Sequence, residues 1–262
     1  MAAANFSPRL VAQPPKDLEK NLKYRKYVIE RCLTDKPFRA AVMAACEADC
    51  LFFINTFCIQ FNPKTMEVGP FVTWPDQDEW VKYLLESIDL EKDVRWQKSR
   101  EVGASWIVLM VMVWLCLFRR NVKTLTMSRD EDSVDKVDDS DSLFWKIRWI
   151  HKHLPLWMRG PIKFGLNKGD ARPGIRDRSM GFFYERTNSF NTGEANTKSV
   201  GVGGRALLML ADEFGQFREE VARQVHDMTR DTARCRVFVG THSSNGGMFY
   251  DLCFDPKYKH MR

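Results

Sequence analysis

The stretch Asp93–Phe118, DVRWQKSREVGASWIVLMVMVWLCLF, decides the fold. Asp93–Gln97 is short and strand-like, with a β-branched and an aromatic residue. Eight residues follow, Lys98-Ser-Arg-Glu-Val-Gly-Ala-Ser105, and then an almost wholly apolar run to Phe118. Strand, polar loop with a glycine, then buried helix is the setting of a phosphate-binding loop. A helix start presents unpaired N–H groups and positive dipole character to an anion. Only the second half of the pattern G-x-x-x-x-G-K-[ST] is met. Gly103 and Ser105 stand at the second glycine and the hydroxyl, Ala104 at the lysine, and Lys98 at the first glycine. A lysine at the mouth of the loop still reaches β- and γ-phosphates as a flexible point charge. Taken alone, the stretch reads more readily as an ordinary strand–turn–helix junction.

A second stretch changes that balance. Leu207–Glu213, LLMLADE, is an apolar run of strand length ending in two adjacent carboxylates. Central strands of a parallel α/β sheet are buried on both faces and read as continuous apolar runs, and ligands bind beyond their carboxyl ends. Two acids there suit a Mg²⁺-associated aspartate, Asp212, and a glutamate, Glu213, that polarises an attacking water. In isolation the same residues make a solvated acidic turn. Loop and acidic strand in this order support each other.

With these residues in view, the chain resembles the large subunit of tailed-phage and herpesvirus-type terminases, the motor that packages viral DNA. KSREVGAS (Lys98–Ser105) is similar to the deviant Walker A of some members, and LLMLADE to Walker B with its catalytic glutamate. FVGTHSSNGGMFYDL (Phe238–Leu252) resembles the coupling motif and the segment after it. WPDQDEW (Trp74–Trp80) resembles the adenine-recognition motif ahead of the loop. The four motifs, in family order, span about two-thirds of the chain.

The resemblance implies an α/β P-loop NTPase of the additional-catalytic-glutamate, RecA-like type, with a parallel central sheet flanked by helices and an N-terminal helical region. It implies ATP and Mg²⁺ as ligands. The implied nucleotide-binding set is Gln77, Lys98, Ser99, Arg100, Glu101, Val102, Gly103, Ala104, Ser105 and Trp106. Ser105 and Asp212 would hold Mg²⁺, Glu213 would orient water, and Arg100 would contact the γ-phosphate. Arg205, just before the acidic strand, matches an arginine finger acting in trans, although a simple salt-bridge arginine fits as well. Arg129 is a further candidate for that finger. Thr241 would sense the γ-phosphate, where a plain turn cap is the alternative. For Gln77 the choice is an amide reading an adenine edge or an exposed helix-start glutamine. Implied partners are double-stranded DNA, a portal protein, a small terminase subunit and copies of the chain in a ring. The expected place is the cytoplasm of an infected host cell, with no membrane association.

The 262 residues suit one large α/β domain or one domain with a subdomain. We expect a flexible arm over 1–16, a helical region or lid over 17–73, and the ATPase core over 74–262. No cluster of acids suggests the nuclease domain that full-length large terminases carry, so DNA cleavage is not expected. A net charge of +6 permits a polyanionic partner without requiring one. Seven cysteines without regular pairing suit reduced thiols better than disulfides or zinc. The most apolar run, Trp106–Phe118, is too short to span a bilayer.

Elsewhere the pattern predicts a first helix with Leu18, Leu22, Tyr27 and Ile29 as its apolar face, and a second from Phe38 to about Phe61. Asn62–Val72 reads as a loop or short hairpin. An acidic helix capped by Ser128 follows the strand Val122–Met127. Residues 153–178 read as an irregular basic insertion, either DNA-facing or a balanced surface loop. The main rivals in function are another nucleic-acid-stimulated P-loop ATPase, such as a helicase, and a nucleotide-inactive scaffold binding DNA or a partner protein.

Overall fold

The computed structural model describes residues 11–99, 102–165, 170–195, 205–241, 246–259 and 261. Three helices come first: α1 (Leu18–Thr34), α2 (Lys36–Ala48) and α3 (Cys50–Phe57). Each begins at an aspartate. The side chains of Asp17, Asp35 and Asp49 accept hydrogen bonds from first-turn N–H groups that a helix start otherwise leaves unpaired. Asp49, in an extended conformation, also breaks the single helix expected over Phe38–Phe61 into α2 and α3.

The expected apolar face of α1 is its outer face. Leu18, Leu22, Tyr27 and Ile29 are exposed, while Asn21, Arg25, Val28 and Cys32 are buried. Arg25 is the reason. Its guanidinium donates to the carbonyls of Ile54, Cys58 and Phe71 and to Asn21 Oδ1. It thereby satisfies the open carboxyl end of α3, and that demand outranks the burial of four apolar side chains.

A hairpin, β1 (Ile59–Asn62) with β2 (Glu67–Pro70), follows, and then α4 (Pro75–Asp89). The remaining elements are β3 (Val94–Gln97), α5 (Ala104–Phe118), β4 (Lys123–Ser128), α6 (Glu131–Val134), α7 (Leu143–His153), α8 (Leu156–Arg159), β5 (Ile162–Phe164), β6 (Ile175–Arg178), β7 (Gly181–Tyr184), β8 (Ser189–Ala195), β9 (Ala206–Ala211), α9 (Glu219–Met228), β10 (Ala233–Gly240) and α10 (Met248–Phe254).

Eight strands form one sheet in the order β3-β10-β9-β4-β8-β7-β6-β5. The first five run parallel; β7 is antiparallel to β8 and to β6. Alternate residues of β9 serve opposite faces. Leu208 and Leu210 join the core shared with α5, whereas Met209 and Ala211 join Phe214, Val225 and Phe249 on the other side. Burial on both faces explains the unbroken apolar run. Helix α5 packs against α3, α4, α7, β4 and β8, so residues Ile107–Leu117 are buried all round. The same core continues into α1–α3.

The acidic segment is not a long helix. Ser128 ends β4, and Asp130 caps α6 by accepting from Ser133 N. The helix stops after one turn because Asp135 is drawn away. It accepts from Arg148 at 2.6 Å and from Met180 N at 2.8 Å, and Arg148 also grips Asp177. The basic insertion is likewise more ordered than expected, since β5 and β6 extend the sheet. Its Lys163 and Arg176 both pair with Glu185, and Arg172 pairs with Asp170. Its tip, 166–169, lies outside the described residues. The seven cysteines are free thiols, six of them buried.

Candidate nucleotide site

Strand β3 delivers Lys98 beside the end of β10, where Lys98 N donates to Gly240 O at 3.0 Å. The loop re-enters the described residues at Val102 and turns into α5 at Gly103, whose φ of +76° lies in the left-handed region. Glycine adopts that conformation without strain, and the space around it is tight. A Cβ there would lie 3.2 Å from Gln77 Nε2 and 3.4 Å from the Phe71 ring. Gln77, buried in the first turn of α4, donates through Nε2 to Val102 O at 3.0 Å. Its amide nitrogen therefore braces the loop from below. Ala104, in the place of the usual loop lysine, is buried.

The two stretches singled out in the sequence meet here. Ser105, in the first turn of α5, donates from Oγ to Asp212 Oδ2 at 2.7 Å. Lys98 Nζ lies 3.3 Å from Ser105 Oγ and 3.8 Å from Asp212 Oδ1. Asp212 is buried, and its Oδ1 has no hydrogen-bond partner. A buried carboxylate oxygen with nothing donating to it is costly and suits a bound cation. Such a cation would find Ser105 Oγ beside it.

Glu213 leaves β9 with φ +53° and ψ 32°, a left-handed conformation that is uncommon for a glutamate. The chain then makes one tight turn, Phe214–Gln216, which passes close to β10. A Cβ on Gly215 would sit 2.1 Å from Thr241 O, so only glycine fits. The turn below Glu213 thus abuts the backbone of Thr241. Above Glu213, Arg129 Nη1 lies 3.6 Å from its carboxylate and donates to Gln216 Oε1 at 2.9 Å.

One cleft of about 1140 Å³ joins these parts, with Phe71, Trp74, Gln77, Ser128, Arg129 and Thr241 in its lining. Lys98, Val102, Gly103, Ala104, Ser105, Trp106, Asp212 and Glu213 all line it. Ser99 is exposed and stands apart from the lining. Arg100 and Glu101 lie outside the described residues, as does the coupling segment over 242–245. Arg205 is exposed at the start of β9, whereas the carboxylates follow its end. Six strand residues, roughly 20 Å, separate Arg205 from the site of its own chain.

Sequence reading missed three lysines in the cleft, Lys64, Lys136 and Lys146. Lys146, on α7, faces the same space. Burial lowers its pKa, and Asp212, Asp141 and Glu213 oppose that shift while Lys98 adds to it. Within LFWKIRWIHKH it looks like any lysine of an amphipathic helix, and no local signal marks it.

The HK97 bacteriophage large terminase superposes on this chain with a TM-score of 0.55 at 11% identity, covering 77% of this chain and 39% of that one. The chain shares the fold of the matched part of that large terminase. It spans about two-fifths of the length of that terminase. Two other structures align more loosely. The large terminase of a thermophilic bacteriophage gives a TM-score of 0.44 at 8% identity, over 63% of this chain and 38% of that one. The Sulfolobus solfataricus SWI2/SNF2 ATPase core in complex with dsDNA gives 0.40 at 8% identity, over 63% and 31%. No family model and no curated protein matches the sequence. No helix among the described residues is long and apolar enough to cross a membrane.

Proposed function

We propose that this chain is the ATPase motor domain of a viral large terminase, hydrolysing ATP to move double-stranded DNA into an empty capsid. One observation carries the reading: Lys98, Ser105, Asp212 and Glu213 converge at the carboxyl ends of β3 and β9, beside the start of a buried helix. In a parallel sheet that end is where ligands bind.

The α5 amino terminus and the Val102–Ser105 backbone would cradle phosphate, and Lys98 would offset its charge. Ser105 and Asp212 would hold Mg²⁺, which when bound supplies further neutralisation of phosphate charge. Glu213 would orient the attacking water, with Arg129 fixing the carboxylate in the meantime. The turn Phe214–Gln216, packed on Thr241, gives the γ-phosphate end of the cleft a route to the segment that follows β10. Arg100 would reach the γ-phosphate. The position of Arg205 favours a role on a neighbour's nucleotide in a ring of copies. Portal protein and small subunit would be the other partners, and Gln77 would hold the adenine end of the cleft in shape.

Ala104 favours a second reading, a nucleotide-inactive scaffold that binds DNA or a partner protein. The test is ATP turnover at high protein concentration, with and without double-stranded DNA, for the parent and Glu213→Gln. Turnover by the parent, with binding but at least about a hundredfold less turnover by the variant, supports the motor. A parent that neither binds nor hydrolyses ATP leaves the scaffold.

A further inference from the structure

Ala104 leaves the loop without the lysine that normally follows its second glycine, and among the described residues of the loop Lys98 is the one cation. The lining also carries the ammonium groups of Lys64, Lys136 and Lys146, and Lys136 is paired with Asp132. Lys146 shares the lining with Lys98, Ser105, Asp212 and Glu213. Its Nζ donates to the backbone carbonyl of Asp141. Among the described residues no carboxylate comes within ion-pair distance of it. An ammonium has three donors, so a single neutral acceptor leaves it under-used.

Its position is well supported. Lys146 lies in the second turn of α7, whose start is fixed by Ser142 through bonds from Ser142 Oγ to Val134 O and from Lys136 N to Ser142 Oγ. Two residues beyond Lys146, Arg148 is clamped between Asp135 and Asp177. Phe144 and Ile147 are buried on either side of it. Side chains of an α-helix lean toward its amino terminus, and for α7 that direction is toward Asp141 and Ser142, which also line the cleft.

We propose that Lys146 is a phosphate-binding residue, the cation that the loop itself lacks at Ala104, supplied from α7 across the cleft. The proposal rests on the nucleotide reading of the site. It predicts that Lys146 contributes to affinity for the polyphosphate rather than for the nucleoside. A charge-assisted hydrogen bond to phosphate corresponds to about tenfold or more in binding.

The experiment is calorimetric titration of the parent, Lys146→Gln and Lys146→Arg with adenosine, ATP and tripolyphosphate, the last two with Mg²⁺, alongside thermal melts. Glutamine keeps a donor for the Asp141 carbonyl and removes the charge. The expected result is a loss of about tenfold or more for ATP and tripolyphosphate in Lys146→Gln. Adenosine binding and melting temperature should stay unchanged, and the arginine variant should regain most of the loss. A Lys146→Gln variant that binds tripolyphosphate as the parent does overturns the proposal while leaving the nucleotide site intact. If the glutamine variant does not fold, Lys146→Met takes its place: selective weakening toward tripolyphosphate supports the proposal, and affinity equal to the parent's overturns it. A parent that binds neither ATP nor tripolyphosphate overturns the nucleotide reading, and this inference with it.

Discussion

Ser105 Oγ donates to Asp212 Oδ2 across 107 positions of sequence, tying the first turn of α5 to the end of β9. The bond uses one oxygen of a buried carboxylate and leaves the other without a donor.

Ser105→Ala should therefore expose two weaknesses at once. A second carboxylate oxygen loses its partner, which costs about 1–3 kcal/mol of stability by urea unfolding. The hydroxyl proposed for Mg²⁺ is lost as well, so Mg²⁺ should no longer strengthen ATP binding, whereas Ser105→Thr should retain both. Parental Mg²⁺ dependence in the alanine variant would remove Ser105 from the metal set.

Gly103→Ala forces a Cβ into a left-handed position against Gln77 and Phe71. The conformation alone costs about 1–2 kcal/mol, which lowers the melting temperature by about 2–8 °C for a chain of this size. Calorimetry should show it, together with weaker ATP binding, because the Gln77–Val102 brace must shift. An unchanged melt would mean that the loop relaxes freely.

Glu185 accepts from Lys163 at 2.6 Å, from Arg176, and from Gly174 N at 3.0 Å. Burial pushes its pKa up, but these hydrogen bonds outweigh burial and hold it down, from 4.5 to about 2. The folded value lies below the unfolded one, so the stability it contributes is complete above about pH 4.5 and is lost as pH falls toward 2. Glu185→Gln should be less stable than the parent at pH 7 and approach it near pH 3. Urea unfolding at both values decides the matter; a constant gap would show that charge is not what fastens β5 and β6.

Arg205 offers a test of assembly. If it acts on a neighbour, Arg205→Ala and Glu213→Gln are each inactive alone, but an equal mixture recovers ATP turnover. A mixture no better than the two separate proteins would assign any role of Arg205 to its own chain.

The parallel half of the sheet was legible because burial on both faces writes itself as an apolar run, as in LLMLADE. The convergence of Lys98, Ser105 and Asp212 followed from the same logic, since strand ends in a parallel sheet share an edge. The outer features were not legible, for reasons of tertiary partnership. The face of α1 that carries Asn21 and Arg25 turns inward because Arg25 finds the carbonyls at the end of α3. The acidic helix ends early only because Arg148 waits for Asp135. Strand β8, SFNTGEA, has little strand character of its own and is defined by pairing with β4. Lys146 reached the cleft from a helix that gave no warning of it.

Strand β10 lies between the strand that leads to the loop and the strand that carries the acids. It follows both in the chain. During synthesis, then, β3 and β9 are made before the strand that pairs with both, and until it arrives each has an unpaired edge open to wrong neighbours. Insertion of Ala233–Gly240 closes both edges and joins the two strands in a single event. An unpaired strand edge is a template for aggregation, so the order of synthesis leaves β3 and β9 open to it until β10 is made.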